Sequence, residues 1–90
     1  GAIRNALAQR SGEEEAIAER REVAQRIASL SGRELEVMEG LIAGKANKAI
    51  AFDLEISART VEVYRANVMT KMQARTLSDL VRMVTIARMG

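Results

Sequence analysis

The sequence predicts an all-α fold: a four-helix domain preceded by a linker helix. Apolar residues recur at spacings of three and four along successive segments, the period of one helix face. Three S/T-x-x-E/D boxes, Ser11 to Glu14, Ser31 to Glu34 and Thr76 to Asp79, mark helix starts by pairing a hydroxyl with an early backbone N–H. Between the last two, Asn47 to Met72 fits two short helices joined by a tight turn, with Ile50, Ala51 and Leu54 on the first and Val61, Val68 and Met72 on the second.

In chain order, residues 1–10 place Ile3, Ala6 and Leu7 on one face and Arg4 on another, as the end of a helix would. The Ser11 box predicts that a second helix starts there. From Glu13 to Ser29 the sequence is rich in Glu, Arg and Ala, and Ile17, Val23, Ala24, Ile27 and Leu30 form a thin stripe. Such a stripe suits either a dimerising linker helix or a solvated helix packed loosely on the later part of the chain. Ser31 to Glu34 opens the next helix, which carries Leu35, Met38, Leu41 and Ile42 on one side and ends at Gly44, suited to a left-handed residue.

In the central stretch a small residue (Ala51), a turn (Glu55) and a branched residue (Val61) have helix-turn-helix spacing, in which the small side chain lets the two helices cross closely. Ser57 caps the second of the pair. Val61, Val68 and Met72 point one way, flanked by Tyr64 and Met69. Arg59, Val63, Ala66 and Thr70 point the other way, bordered by Thr60, Glu62 and Asn67. That outward face combines an apolar Val, a small Ala and polar groups able to read base edges, which points to DNA. In the final segment, Thr76 to Met89, Leu77, Leu80, Val81 and Val84 form one apolar face. Met83, Ile86 and Ala87, with Asp79, form a second, which is a candidate homodimer contact unless the amino-terminal helix covers it.

Composition bounds the function. With no Cys and no His in 90 residues, neither disulfides nor the usual transition-metal sites and nucleophile–base pairs are available, so no metal, cofactor or enzymatic activity is expected. No apolar run approaches the length that spans a bilayer and no signal-peptide pattern opens the chain, so the expectation is a cytoplasmic protein with no membrane partner. Residues 1–30 carry five Arg against five Glu, and residues 31–90 nine basic against seven acidic side chains, giving the whole +2. That excess is too small to identify a polyanion partner without the placement of the charges.

Leu30 to Met38, Gly44 to Ala51, Leu54 to Ser57, Thr60 to Val68 and Lys71-Met72 together resemble the LuxR/FixJ family output domain, closest to the FixJ-like response regulators of bacterial two-component systems. The resemblance runs through about 60 residues without a gap. It implies a four-helix DNA-binding domain in transcription regulation, with its third helix (about 58–72) in the major groove of double-stranded DNA and its fourth helix used for dimerisation. It also implies a receiver domain upstream in the parent protein and admits RNA polymerase as a further partner. Residues 1–30 then read as the end of the receiver's last helix plus an interdomain linker.

By geometry and by analogy with the family's third helix, base readout falls to Glu62, Val63 and Ala66, with Arg59 and Asn67 as outer candidates. Glu62 can accept from a cytosine amino group and Val63 can meet a thymine methyl, although Glu62 also reads as a solvated helix charge. Phosphate contacts fall to Asn47 and Lys48 at a helix start, then Thr60, Arg65 and Lys71, with Lys45 and Arg75 further out. Tyr64, where many relatives carry His, is a phosphate donor or a packing residue. The chain departs from the family pattern in having Gly32, Ala46 and Ala58 where Pro is common, and Glu55 where Gly is usual in the turn. A positive φ there would cost about 1 to 2 kcal/mol. Two other readings stand beside this one: promoter binding like region 4 of a sigma factor, and a helical protein-interaction module without DNA binding.

Overall fold

A computed structural model describes residues 2–89, with side chains from Gly12 onward. The elements are α1 (Ala2–Ala28), α2 (Gly32–Ile42), α3 (Asn47–Leu54), α4 (Ala58–Met72) and α5 (Leu77–Met89), with no strand among the described residues. α1 is continuous, so the helix start expected at Ser11 is corrected. A capping box begins a helix only where the preceding chain leaves helical geometry, and nothing here makes it leave. There is no Pro, and Gly12 in a run of good helix formers costs only about 1 kcal/mol. The faces expected of Ile3, Ala6, Leu7 and Arg4 lie outside the described side chains.

The Ser31 box forms as expected. Glu34 N–H donates to Ser31 Oγ at 3.2 Å and Ser31 N–H donates to Glu34 Oε1 at 2.8 Å. α2 turns Glu34, Val37, Met38 and Leu41 inward, an i, i+3, i+4, i+7 set. Leu35, expected in the core, is 37% exposed, because drawing Glu34 inward rotates the buried face away from it. Ala43 and Gly44, the latter at φ +83°, end the helix. Gly40 lets α3 approach, since a Cβ there would lie 2.7 Å from Ile50 Cγ1.

α3 buries Ile50 and Ala51 and stops at Glu55, which is left-handed (φ 57°, ψ 43°). Ile56 N–H returns to the Ala51 carbonyl at 3.0 Å and closes the turn. Ser57 Oγ accepts from Thr60 N–H at 3.1 Å, and α4 then presents Val61, Val68 and Met72 to the core. α5 starts with Thr76 Oγ1 accepting from Asp79 N–H at 3.1 Å, and buries Leu80, Met83 and Val84.

The first helix joins this core through its last turns. Val23 is buried in the cluster that includes Met83, and Ile27 and Leu30 pack at its edge, whereas Ile17 and Ala24 are exposed. α1 lies against α5 and α4, with Arg82 reaching Glu19 at 3.4 Å and Arg26 reaching the Met72 carbonyl at 3.4 Å. Its 27 residues extend past the other helices and give the molecule dimensions of 60 × 21 × 20 Å.

Candidate nucleic-acid interface

With Val61, Val68 and Met72 fully buried on one side of α4, the 3.6-residue period turns the opposite side out. Arg59, Glu62, Val63, Ala66, Asn67 and Thr70 are all exposed, Val63 by 57%. Elsewhere ion pairs join Arg33 to Glu36, Lys45 to Asp53, Arg82 to Glu19 and Arg88 to Glu39, while Glu13, Glu14, Glu15, Arg20 and Arg21 on the exposed part of α1 enter none among the described residues. Among the described residues, Arg59 and Glu62 enter no ion pair. A helix face with a bare valine at its centre, a small alanine beside it and uncommitted polar groups around them is shaped for close contact rather than solvation.

The residues expected to meet phosphate divide by what already holds them. Lys48 is exposed and in no ion pair, at the start of a helix whose cap, Ala46, offers no side-chain acceptor. Its neighbouring backbone N–H groups therefore point outward for an anion. Asn47 and Arg65 meet each other, Arg65 Nη1 donating to Asn47 Oδ1 at 3.3 Å, with the half-buried Arg65 stem lying along the protein as expected. Thr60 shares its hydroxyl with Ser57 Oγ at 2.8 Å. Tyr64 is half-buried and packs against the core, which favours the packing reading. Lys71, expected on a phosphate, is instead bound to Glu34 Oε1 at 2.7 Å. Lys45 is likewise taken, by Asp53 at 2.6 Å.

The residues expected at the dimer contact are largely covered within the chain. Met83 is only 5% exposed, with α1 packed over α5, so the alternative in which the amino-terminal helix covers this face describes the structure. The Asp79 carboxylate accepts the Arg75 N–H at 3.3 Å and so serves the helix start. Ala87 packs on the core and Ile86 is half-buried, leaving no broad free apolar face of the expected composition.

Two features escape a reading of the sequence alone, the partner of Glu34 and the exposure of Phe52. Glu34 is 4% exposed and held below its ordinary carboxyl pKa, first by the Lys71 hydrogen bond and then by the Ser31 N–H. Its inward position is available from the 34, 37, 38, 41 spacing, but its partner is not. Phe52 is 85% exposed on the outer side of α3, one turn from Lys48, and no periodicity argument singles it out.

Comparison with known proteins agrees with this geometry. Residues 28–84 match the family described as bacterial regulatory proteins, luxR family. The chain is 58% identical over 82 residues to transcriptional regulatory protein FixJ of Bradyrhizobium diazoefficiens, taking in 91% of this chain and 39% of that protein. It is 65% identical over 68 residues to FixJ of Azorhizobium caulinodans, taking in 76% of this chain and 32% of that protein. Among solved structures, full-length FixJ from B. japonicum superimposes with a TM-score of 0.80 at 54% identity, covering 99% of this chain and 44% of that one. The response regulator StyR gives 0.83 at 37% identity, covering 93% and 42%. The chain thus spans less than half the length of these relatives.

Proposed function

The chain belongs to the luxR family of bacterial regulatory proteins, a family of transcriptional regulators and not of enzymes, and we propose that it binds double-stranded DNA sequence-specifically with α4 in the major groove. The observation that carries this reading is the exposure of Val63 and Ala66 at the centre of a helix face whose opposite side is the core. In the groove Val63 meets a thymine methyl, Glu62 accepts from a cytosine amino group and Ala66 permits close approach, with Arg59 and Asn67 at the margins. Lys48, the Asn47–Arg65 pair and Thr60 hold the phosphate backbone and fix the register. Glu62 repels phosphate, so affinity is exchanged for selectivity at that position.

The similarity to FixJ and StyR supports a place within a longer, cytoplasmic response regulator, with residues 1–30 ending an upstream receiver domain and linking it to residues 31–90. In that parent protein two copies read two half-sites, and RNA polymerase is the further partner. Sigma-factor promoter binding is set aside by the family match. The helical interaction module without DNA binding is the reading that substitution decides.

Val63→Arg and Ala66→Asp each weaken binding to a duplex selected from a random library by the wild-type chain, by about 2 kcal/mol or roughly thirtyfold, with helical content unchanged. Because Val63→Arg adds a positive charge, its loss of binding cannot come from repulsion by phosphate. Undiminished binding by both variants would remove α4 from the interface.

A further inference from the structure

We propose that Glu34 and Lys71 form a positioning pair for α4, so that Lys71 affects DNA binding through Glu34 and not as a phosphate contact. This rests on the DNA-binding reading above and adds how the reading helix is held. One carboxylate oxygen, Glu34 Oε1, receives the Ser31 N–H at 2.8 Å from the start of α2 and the Lys71 ammonium at 2.7 Å from the last turn of α4. Glu34 lies beside Val37 and Met38 in the core, so its charge has little solvent to turn to. At the next residue of α4, the Met72 carbonyl accepts from Arg26 of α1. The last turn of α4 is therefore tied at two successive residues to segments that precede the helix-turn-helix pair.

The apolar contacts of Val61, Val68 and Met72 fix which side of α4 is inside, but they are non-directional and tolerate small changes of tilt and rotation. A hydrogen-bonded ion pair has a required geometry. It acts at the carboxyl end of the helix that carries Val63 and Ala66, and bidentate or close-contact readout of bases is sensitive to displacements of a fraction of an ångström. Recruiting Lys71 to phosphate would strand a buried carboxylate, which makes it a poor donor to DNA. Lys48, exposed and uncommitted, has no such cost.

The two roles give opposite signs for one substitution. Glu34→Gln keeps the shape and an acceptor for the Ser31 N–H while removing the charge that neutralises Lys71. If Lys71 contacted phosphate, freeing it would tighten binding; as a positioning partner, its loss of grip weakens binding. With the library-selected duplex at several salt concentrations, and conditions where circular dichroism shows every variant fully folded, Glu34→Gln and Lys71→Met each bind about threefold or more weakly. The slope of log K against log salt stays at the wild-type value in both, whereas Lys48→Ala lowers it by about 0.9 for each phosphate released. Lys71→Arg restores binding. Should Lys71→Met fail to fold because Glu34 is stranded, the double variant Glu34→Gln/Lys71→Met, which leaves no lone charge, keeps the wild-type slope. Tighter binding by Glu34→Gln, or a reduced slope in the double variant, overturns the proposal. Val63→Arg and Ala66→Asp separate the levels: if both bind as the wild type does, the α4 reading fails and this inference with it, and if they weaken binding while Glu34→Gln tightens it, only the positioning role is lost.

Discussion

Glu34 couples local signal to distant structure. Its folded carboxyl is held below its ordinary 4.5 by Lys71 and the Ser31 N–H, so the folded state favours the ionised form more than the unfolded chain does. The stability this confers is complete above the unfolded value and is lost as pH falls through the lowered folded value. Thermal midpoints followed from about pH 7 to about pH 3 should therefore fall less steeply for Glu34→Gln than for the wild type, and parallel curves would contradict the assignment. The capping role of Glu34 was legible because S-x-x-E is a local pattern. Its ion pair was not, since the partner lies 37 positions away. The outward placement of Val63 and Ala66 was legible for the converse reason, that a helix of known phase places every side chain once a few are fixed inside. Glu55 combines both cases: its turn position followed from the spacing to Ala51 and Val61, while the left-handed φ of 57° is supplied by the closing bond from Ile56 to Ala51.

At the scale of elements, α1 and α5 show where helical periodicity stops being informative. The second apolar face of α5 is legible in its pattern, but a pattern does not say what covers it. α1 does, through Val23 and its neighbours, and of the two uses the thin stripe suits, packing on the later part of the chain is the one seen here. Two surfaces cannot occupy Met83 together, so pairing of two copies through this side of α5 requires α1 to leave. Sedimentation of the intact chain is expected to show a monomer across concentration. Val23→Asp, which places a charge in the α1–α5 contact, is expected to release α1, expose Met83 and produce a concentration-dependent dimer. A wild-type dimer with α1 still seated, or an unchanged monomer in the variant, would show that α1 does not compete for this face. The unbroken helix at Ser11 has a related cause, since a start signal without an upstream breaker leaves a helix intact.

At the scale of the whole molecule, the all-α class and the order of the helix-turn-helix pair followed from the sequence because each helix carries its own apolar period and α2, α4 and α5 carry their own side-chain caps. The assembly did not, because it depends on contacts distant in sequence: Gly40 making room for Ile50, Glu34 gripping Lys71, and α1 closing over α5. These contacts leave one helix face, opposite a fully buried side, with bare apolar and uncommitted polar groups, and that face is what supports the proposed place of α4 in the groove. An NMR titration of the intact chain with the library-selected duplex tests this most directly. The account predicts that the largest backbone amide shifts fall on Arg59, Glu62, Val63, Ala66 and Asn67, with Lys48 next and the exposed half of α1 unmoved. Shifts concentrated on α1 or α5, with α4 unaffected, would contradict it.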